Sequence, residues 1–262
     1  MAESILYIGS FIFIFLLGIS FGSFLNSWVW RTHENIRILL DRSFCPHCRV
    51  QLKWYENIPV FSFLFLKAKC RTCKGEIPIY YFWVELSTGL IFIFVYYLHF
   101  SYFNFEPLYF FRDIVFVSFL IVIFNYDYLY KIILPSVVWT GVLIGFIFNY
   151  FYFGYSLENL GLAAFVGCGF FLAQFIVSRG RWIGGGDVRF GFLMGVWLGW
   201  PGIVVGLFVS YILGALVSVP LLIFKKKKWA EEIPFGTFLT TGTFMALYWG
   251  DWLVDWYLTL LR

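Results

Sequence analysis

Two carboxylates and four thiols carry the chemistry open to this sequence. Asp187 directly follows Gly184-Gly185-Gly186, between two strongly apolar segments, and Asp127 ends the stretch Phe124-Asn125-Tyr126-Asp127 after another apolar run. An acid at the edge of a bilayer is expensive to keep there, which marks it as a functional candidate. Two carboxylates sharing a site do not both ionise easily, so one keeps a proton while the other is charged. The charged member can activate a water and the protonated one can donate to a scissile carbonyl, the pair titrating as a unit. Gly184, Gly185 and Gly186 leave room for an extended substrate strand beside the backbone and permit conformations that other residues avoid. The plainer alternative is that each aspartate caps a helix, a role that suits Asp187 well.

The thiols fall in two pairs, Cys45-Pro46-His47-Cys48 and Cys70-Arg71-Thr72-Cys73, with residues 49–69 between them. Two such knuckles suit a tetrahedral zinc site of four thiolates, a closed site and hence a structural one. His47 reads as a bystander inside its knuckle, and Cys168 as a small packing residue in an apolar helix. Disulfides or redox dithiols are the rival reading in an oxidising compartment, so the side of the membrane decides between them.

The elements that must position these groups are membrane helices. With 61% hydrophobic and 13% charged residues, the composition excludes an ordinary soluble protein, in which about a quarter of residues are charged. Continuous runs such as Ile203 to Phe224 exclude a β-barrel of short alternating segments. We therefore expect an all-α polytopic membrane protein of about eight transmembrane helices. The expected spans are near Ile5–Trp30, Tyr81–His99, Phe110–Asn125, Ile132–Tyr152, Leu160–Val177, Val188–Trp200, Ile203–Phe224 and Pro234–Tyr257. The first run lacks a basic start and a cleavage site, so it reads as a retained helix. Its Gly18, Gly22, Ser23 and Ser27 form a small-residue packing face.

Arg31 to Tyr80, the one long polar segment, holds nine of the 19 Lys and Arg. Positive charge favours the cytoplasmic side, which places the N-terminus outside and the cysteines in the reducing compartment. All basic residues except Arg112 and Arg262 then lie at cytoplasmic positions, Lys225 to Lys228 among them as an anchor for anionic lipid. Asp127 and Asp187 fall at the same depth near the inner surface, while Asp113, Asp251 and Asp255 fall toward the outer one. The division is 1–30 as first helix, 31–80 as zinc-binding cytoplasmic loop and 81–262 as the transmembrane catalytic part. The lipid bilayer is one partner; no nucleic acid is expected, and a homodimer is left open.

Several motifs in order give the chain a resemblance. Phe21-Gly22-Ser23-Phe24-Leu25-Asn26, both knuckles, Trp54-Tyr55-Glu56-Asn57-Ile58-Pro59, Val84-Glu85-Leu86-Ser87-Thr88-Gly89, Gly184 to Val188 (a GxGD motif) and Ile233-Pro234-Phe235-Gly236 resemble the prepilin peptidases of type IV pilus and type II secretion systems. The resemblance implies an inner-membrane enzyme whose dyad, Asp127 and Asp187, cuts prepilins or pseudopilins after the glycine ending the leader, at the cytoplasmic face. It implies further that the new N-terminal residue, usually phenylalanine, is methylated from S-adenosylmethionine, with the loop 31–80 as the methyltransferase region and Asn57 and Glu85 as contributors to substrate or cofactor contacts. Two departures stand out. Leu134-Pro135-Ser136 lacks the acid of the family's Pro-Asp, and Ala68-Lys69-Cys70 replaces a usual glycine before the second knuckle. Tyr126-Asp127 with Gly-Gly-Gly-Asp also resembles the GxGD intramembrane proteases of presenilin type, which lack the knuckle loop. A transporter or a scaffold whose zinc loop docks a partner is the non-enzymatic alternative; a transporter is expected to place acids near mid-membrane.

Overall fold

A chain this apolar must satisfy its backbone polar groups within each segment, and helices do so. The computed structural model describes residues 2–38, 42–102, 105–223 and 233–260; Lys225 to Lys228 and Arg262 lie outside them. Nine α-helices occur among the described residues: α1 Ala2–His33, α2 Phe61–Phe65, α3 Ile79–Tyr102, α4 Pro107–Tyr130, α5 Pro135–Phe146, α6 Leu157–Ser178, α7 Gly185–Leu198, α8 Gly202–Ile223 and α9 Phe235–Leu260. Residues Ile147–Tyr152 extend α5 in wider π-helical turns.

The boundaries follow local chemistry. Pro135 opens α5 at its first position, where a missing N–H matters least. The Ser156 hydroxyl accepts the Asn159 N–H at 3.1 Å and caps α6. Arg179 and Gly180, both left-handed, end that helix. Lys131, also left-handed, ends α4 with its N–H on the Asp127 carbonyl.

Each expected span has a helical counterpart, and six of these are long and apolar enough to cross a bilayer: Tyr7–His33, Ile79–Tyr102, Pro107–Tyr130, Pro135–Tyr152, Leu157–Ser178 and Gly202–Leu221. The chain is thus a multi-pass membrane protein by helix composition. The remaining two differ for separate reasons. α9 has 26 residues but falls short on hydropathy. α7 has 14 residues, about 21 Å at 1.5 Å per residue, short of a hydrocarbon core about 30 Å thick.

The fold divides into two compact units, Met1–Ser118 and Phe119–Arg262. In the first, α1 packs along α3 through small residues. A Cβ on Gly18 would come within 2.8 Å of the Gly89 Cα, and one on Gly22 within 2.8 Å of the Glu85 Cα. Arg112, one of the two basic residues at odds with the charge rule, is neutralised here. Its Nε donates to Asp113 at 2.7 Å, and His99 Nε2 meets the other Asp113 oxygen at 2.9 Å, all three being buried.

In the second unit α7 is the inner element, with Phe190, Gly191 and every residue from Leu193 to Leu198 buried. It packs on α5, α6, α8 and α9. Against α6 the contact is backbone to backbone: a Cβ on Gly191 would strike the Gly167 carbonyl, and one on Gly195 would strike Ala163 and Ala164. Side chains hold its far end. Asn149 donates to the carbonyls of Val196 at 2.7 Å and Trp197 at 3.1 Å, and the Trp197 indole donates to the Gly141 carbonyl at 2.9 Å. Gly195→Ala is therefore expected to lower stability by at least about 1–3 kcal/mol, the usual overpacking penalty. Gly161→Ala, where an added Cβ meets open space, should leave the thermal midpoint in detergent unchanged or raise it.

Candidate active site and metal centre

Asp127 lies in the last turn of α4 and Asp187 in the first turn of α7. Both are buried, at 4% and 8% exposure, so each carboxylate needs a donor in place of water. Backbone N–H groups at helix N-termini provide them, where unpaired donors and the helix dipole favour negative charge. Asp127 Oδ2 accepts the Thr237 N–H at 3.1 Å, in the first turn of α9. Asp187 Oδ2 accepts the Gly184 N–H at 3.0 Å, while its own N–H returns to the Gly184 carbonyl at 3.1 Å. The capping role expected as the plainer alternative for Asp187 is thus real, and it occupies one oxygen.

Ile133, in the turn between α4 and α5, stands beside both acidic elements. A Cβ on Gly186 would lie 3.0 Å from the Ile133 Cβ, and one on Gly236 would lie 3.1 Å from its Cδ1. The arrangement brings together the two carboxylates that sequence spacing alone leaves 60 positions apart.

The three glycines before Asp187 differ from one another. None is left-handed, and Gly184 is extended at φ −79°, ψ 156°, so freedom of backbone conformation is not what they supply. Gly186 is needed for the close approach to Ile133. Gly184 and Gly185 are exposed, and a Cβ on Gly185 would meet nothing within 4 Å, leaving backbone that another chain can approach.

Gly236 and Thr237 are site residues that carried no role in the sequence reading, although Ile233 to Gly236 was a visible motif. Its reason is steric: a Cβ on Gly236 would sit 2.8 Å from Asp127 Oδ2.

In the first unit the four cysteines converge, their sulfurs all within 4.8 Å of one another. Cys45 and Cys73 sulfurs are 3.9 Å apart, close to the edge of about 3.8 Å expected for a tetrahedron with metal–sulfur bonds of about 2.3 Å. The two knuckles repeat one geometry. Arg49 N–H donates to the Cys45 carbonyl and Lys74 N–H to the Cys70 carbonyl. Arg49 and Lys74 are both left-handed, and antiparallel bridges flank each knuckle at Phe44–Gln51 and Lys69–Glu76. The Cys73 backbone N–H holds the Cys70 thiol down while burial pushes the Cys45 thiol up, and a cation at the centre would favour the thiolate at all four. These residues fit a metal ion. His47 is not among the converging groups; its ring lies against Gly75. Cys168 sits apart on α6.

A cleft of about 530 Å³ opens in the same unit between α1, the loop and the start of α3, a size within the range of small-molecule sites. Asn57 and Glu85 both line it, with Ser23, Glu56, Arg71 and Tyr81. A loop-side lining that joins the Glu56 carboxylate and the Asn57 amide to aromatic side chains such as Tyr81 suits a positively charged sulfonium, so these residues fit S-adenosylmethionine.

Comparison with known proteins matches the same two halves of the chain. Residues 16–99 match the Bacterial Peptidase A24 N-terminal domain and residues 114–219 the Type IV leader peptidase family. A prepilin leader peptidase/N-methyltransferase of Legionella pneumophila is 30% identical over 229 residues, covering 85% of this chain and 77% of that protein. One of Aeromonas hydrophila is 27% identical over 278 residues, covering 95% and 94%. One of Myxococcus xanthus is 48% identical over 81 residues, covering 31% and 24%. No solved structure gives a significant match. Likeness of this extent, on a helical membrane chain with paired carboxylates and clustered cysteines, shows that the chain belongs to the prepilin leader peptidase/N-methyltransferase family.

Proposed function

We propose that this family enzyme is an aspartic endopeptidase that removes the leader of prepilin-like proteins after a glycine, with Asp127 and Asp187 as its catalytic pair. One observation carries the reading: two buried carboxylates, each held through Oδ2 by a helix N-terminal N–H, sit on elements that both close on Ile133. The ionised member takes a proton from water as the water oxygen attacks the scissile carbonyl carbon. The protonated member gives its proton to the carbonyl oxygen. Collapse of the tetrahedral adduct breaks the C–N bond, and the leaving nitrogen takes up a proton. The exposed backbone at Gly184 and Gly185 is where the substrate strand would lie.

Membership in an enzyme family sets aside the transporter and scaffold alternatives. The presenilin-type alternative is disfavoured by the four-cysteine loop. The remaining elements of the proposal are eight spans, an N-terminus outside, a dyad at the cytoplasmic face of the inner membrane, and a division into first helix 1–30, loop 31–80 and peptidase part 81–262. The cysteine cluster holds structural zinc. Methylation of the freed N-terminus from S-adenosylmethionine, the second activity in the relatives' names, is assigned to the loop region and its cleft.

The Ala68 departure bears on that second activity. Ala68 has φ +57°, the left-handed conformation that glycine takes without steric penalty. Its N–H still donates to Phe63 at 2.9 Å and its carbonyl still accepts from Ile77 at 2.7 Å. Alanine therefore keeps the turn and bears strain of about 1 kcal/mol.

Mass spectrometry of a prepilin incubated with the purified protein, with and without S-adenosylmethionine, tests both activities. Asp127→Asn and Asp187→Asn should each reduce cleavage by about 10⁴-fold or more, and the double variant should be little worse than either, because the pair acts as a unit. Intact substrate with wild-type protein, under conditions where a relative cuts it, would remove the peptidase reading. Cys45→Ser should lower both zinc content by elemental analysis and the thermal midpoint; full zinc retention would overturn the four-thiolate site. Ala68→Gly should stabilise the protein by about 0.5–1 kcal/mol in chemical unfolding, and a loss of stability would refute the strained turn.

A further inference from the structure

The cleft of the first unit holds a feature that peptide cleavage does not use. Glu85 lies in the second turn of α3, 8% exposed, with its Oε2 accepting the Val60 N–H at 2.6 Å. Val60 has φ +65°, ψ −53°. For a β-branched residue this is a rare and strained backbone, of the kind that persists where its surroundings fix it at a site. Ser23 of α1 stands beside the same carboxylate. Gly22, whose Cβ would crowd the Glu85 Cα, lets α1 approach closely enough to bring Ser23 there. A carboxylate is thus held firmly by a strained donor in the wall of a cleft between two apolar helices.

The occupant follows from chemistry and depth. Cleavage releases an α-amine, whose pKa of about 8 keeps it mainly as ammonium at neutral pH. An ammonium has no lone pair for attack, so methylation at neutral pH calls for a group that accepts its proton, and an anionic one would also bind the ammonium. Glu85 sits on a membrane-spanning helix, where the amine of an apolar substrate helix would be presented. Glu56, Asn57 and Arg71 line the loop side of the cleft, where they would hold the polar methyl donor.

We propose that Glu85 binds the freed α-amine of the cleaved substrate in this cleft and takes its proton for methyl transfer, an inference that rests on the methyltransferase reading above. With the proton on Glu85, the nitrogen lone pair forms the new N–C bond to the sulfonium methyl group. The C–S bond breaks, its electron pair stays on sulfur as a neutral thioether, and Glu85 returns the proton to water.

The test uses the full-length protein, a peptide with a free N-terminal phenylalanine followed by an apolar stretch, and methyl-labelled S-adenosylmethionine. Methylation is measured from pH 6 to 9 for wild type and Glu85→Gln, alongside binding of S-adenosylhomocysteine. The expected result is a loss of about 100-fold or more at pH 7 in the variant, recovering toward wild type by pH 9 as the free amine deprotonates by itself. Binding of S-adenosylhomocysteine should stay within threefold. Methylation by Glu85→Gln equal to wild type across the range would overturn the proposal, as would loss of S-adenosylhomocysteine binding with no recovery at high pH. Should the variant fail to fold, the wild type decides: the N-acetylated peptide is expected to compete at least tenfold more weakly than the free amine, and equal competition refutes amine recognition. Wild-type protein that cleaves but never methylates would instead remove the methyltransferase reading, and this inference with it.

Discussion

Everything in the second unit depends on burying two carboxylates in an apolar helical bundle without leaving them unsolvated. An ionised group removed from water is tolerated only with donors of comparable strength nearby. The unit supplies them from helix N-termini: α9 to Asp127 and the start of α7 to Asp187. This solution dictates the packing around it. The α9 N-terminus can serve Asp127 only because Gly236 has no side chain to displace the carboxylate, and Gly186 lets Ile133 close in beside Asp187.

The same requirement accounts for α7. A helix of 14 residues would make a poor lipid-facing span, but enclosed by α5, α6, α8 and α9 it need not face lipid. Glycine seams draw α6 close, and Asn149 and Trp197 tie down the far end. The Asp187 end is thereby carried on an inner, enclosed element, as precise positioning of the proposed catalytic pair would demand.

The first unit meets a different need with a different device. Its loop takes its shape from four converging thiols, from the Arg31 guanidinium, which donates to the carbonyls of Arg37, Ile38 and Arg42, and from several left-handed turns. Val60 and Ala68 hold conformations that cost stability, and both shape the surroundings of one cleft.

Much of this was legible before any coordinates. Hydropathy placed each long helix within a few residues, because a membrane helix satisfies its own backbone and its ends follow local signals such as Pro135, Ser156 and Gly180. The cysteine spacing gave the cluster, since two knuckles can meet around one ion almost regardless of the loop between them. Motif order gave the family. Only tertiary structure decided which N–H reaches Asp127, why Gly236 has no side chain, that α7 is enclosed, and that the Val60 backbone is strained toward Glu85. Each of these depends on contacts between segments far apart in sequence, where fit is set by the shape of the partner and leaves no local pattern to read. Arg112 is a different case, paired with its own neighbour in the chain. By sequence it was a charge on the wrong side; in the fold it is paired with Asp113 and buried, because a neighbouring carboxylate and the His99 ring complete its surroundings.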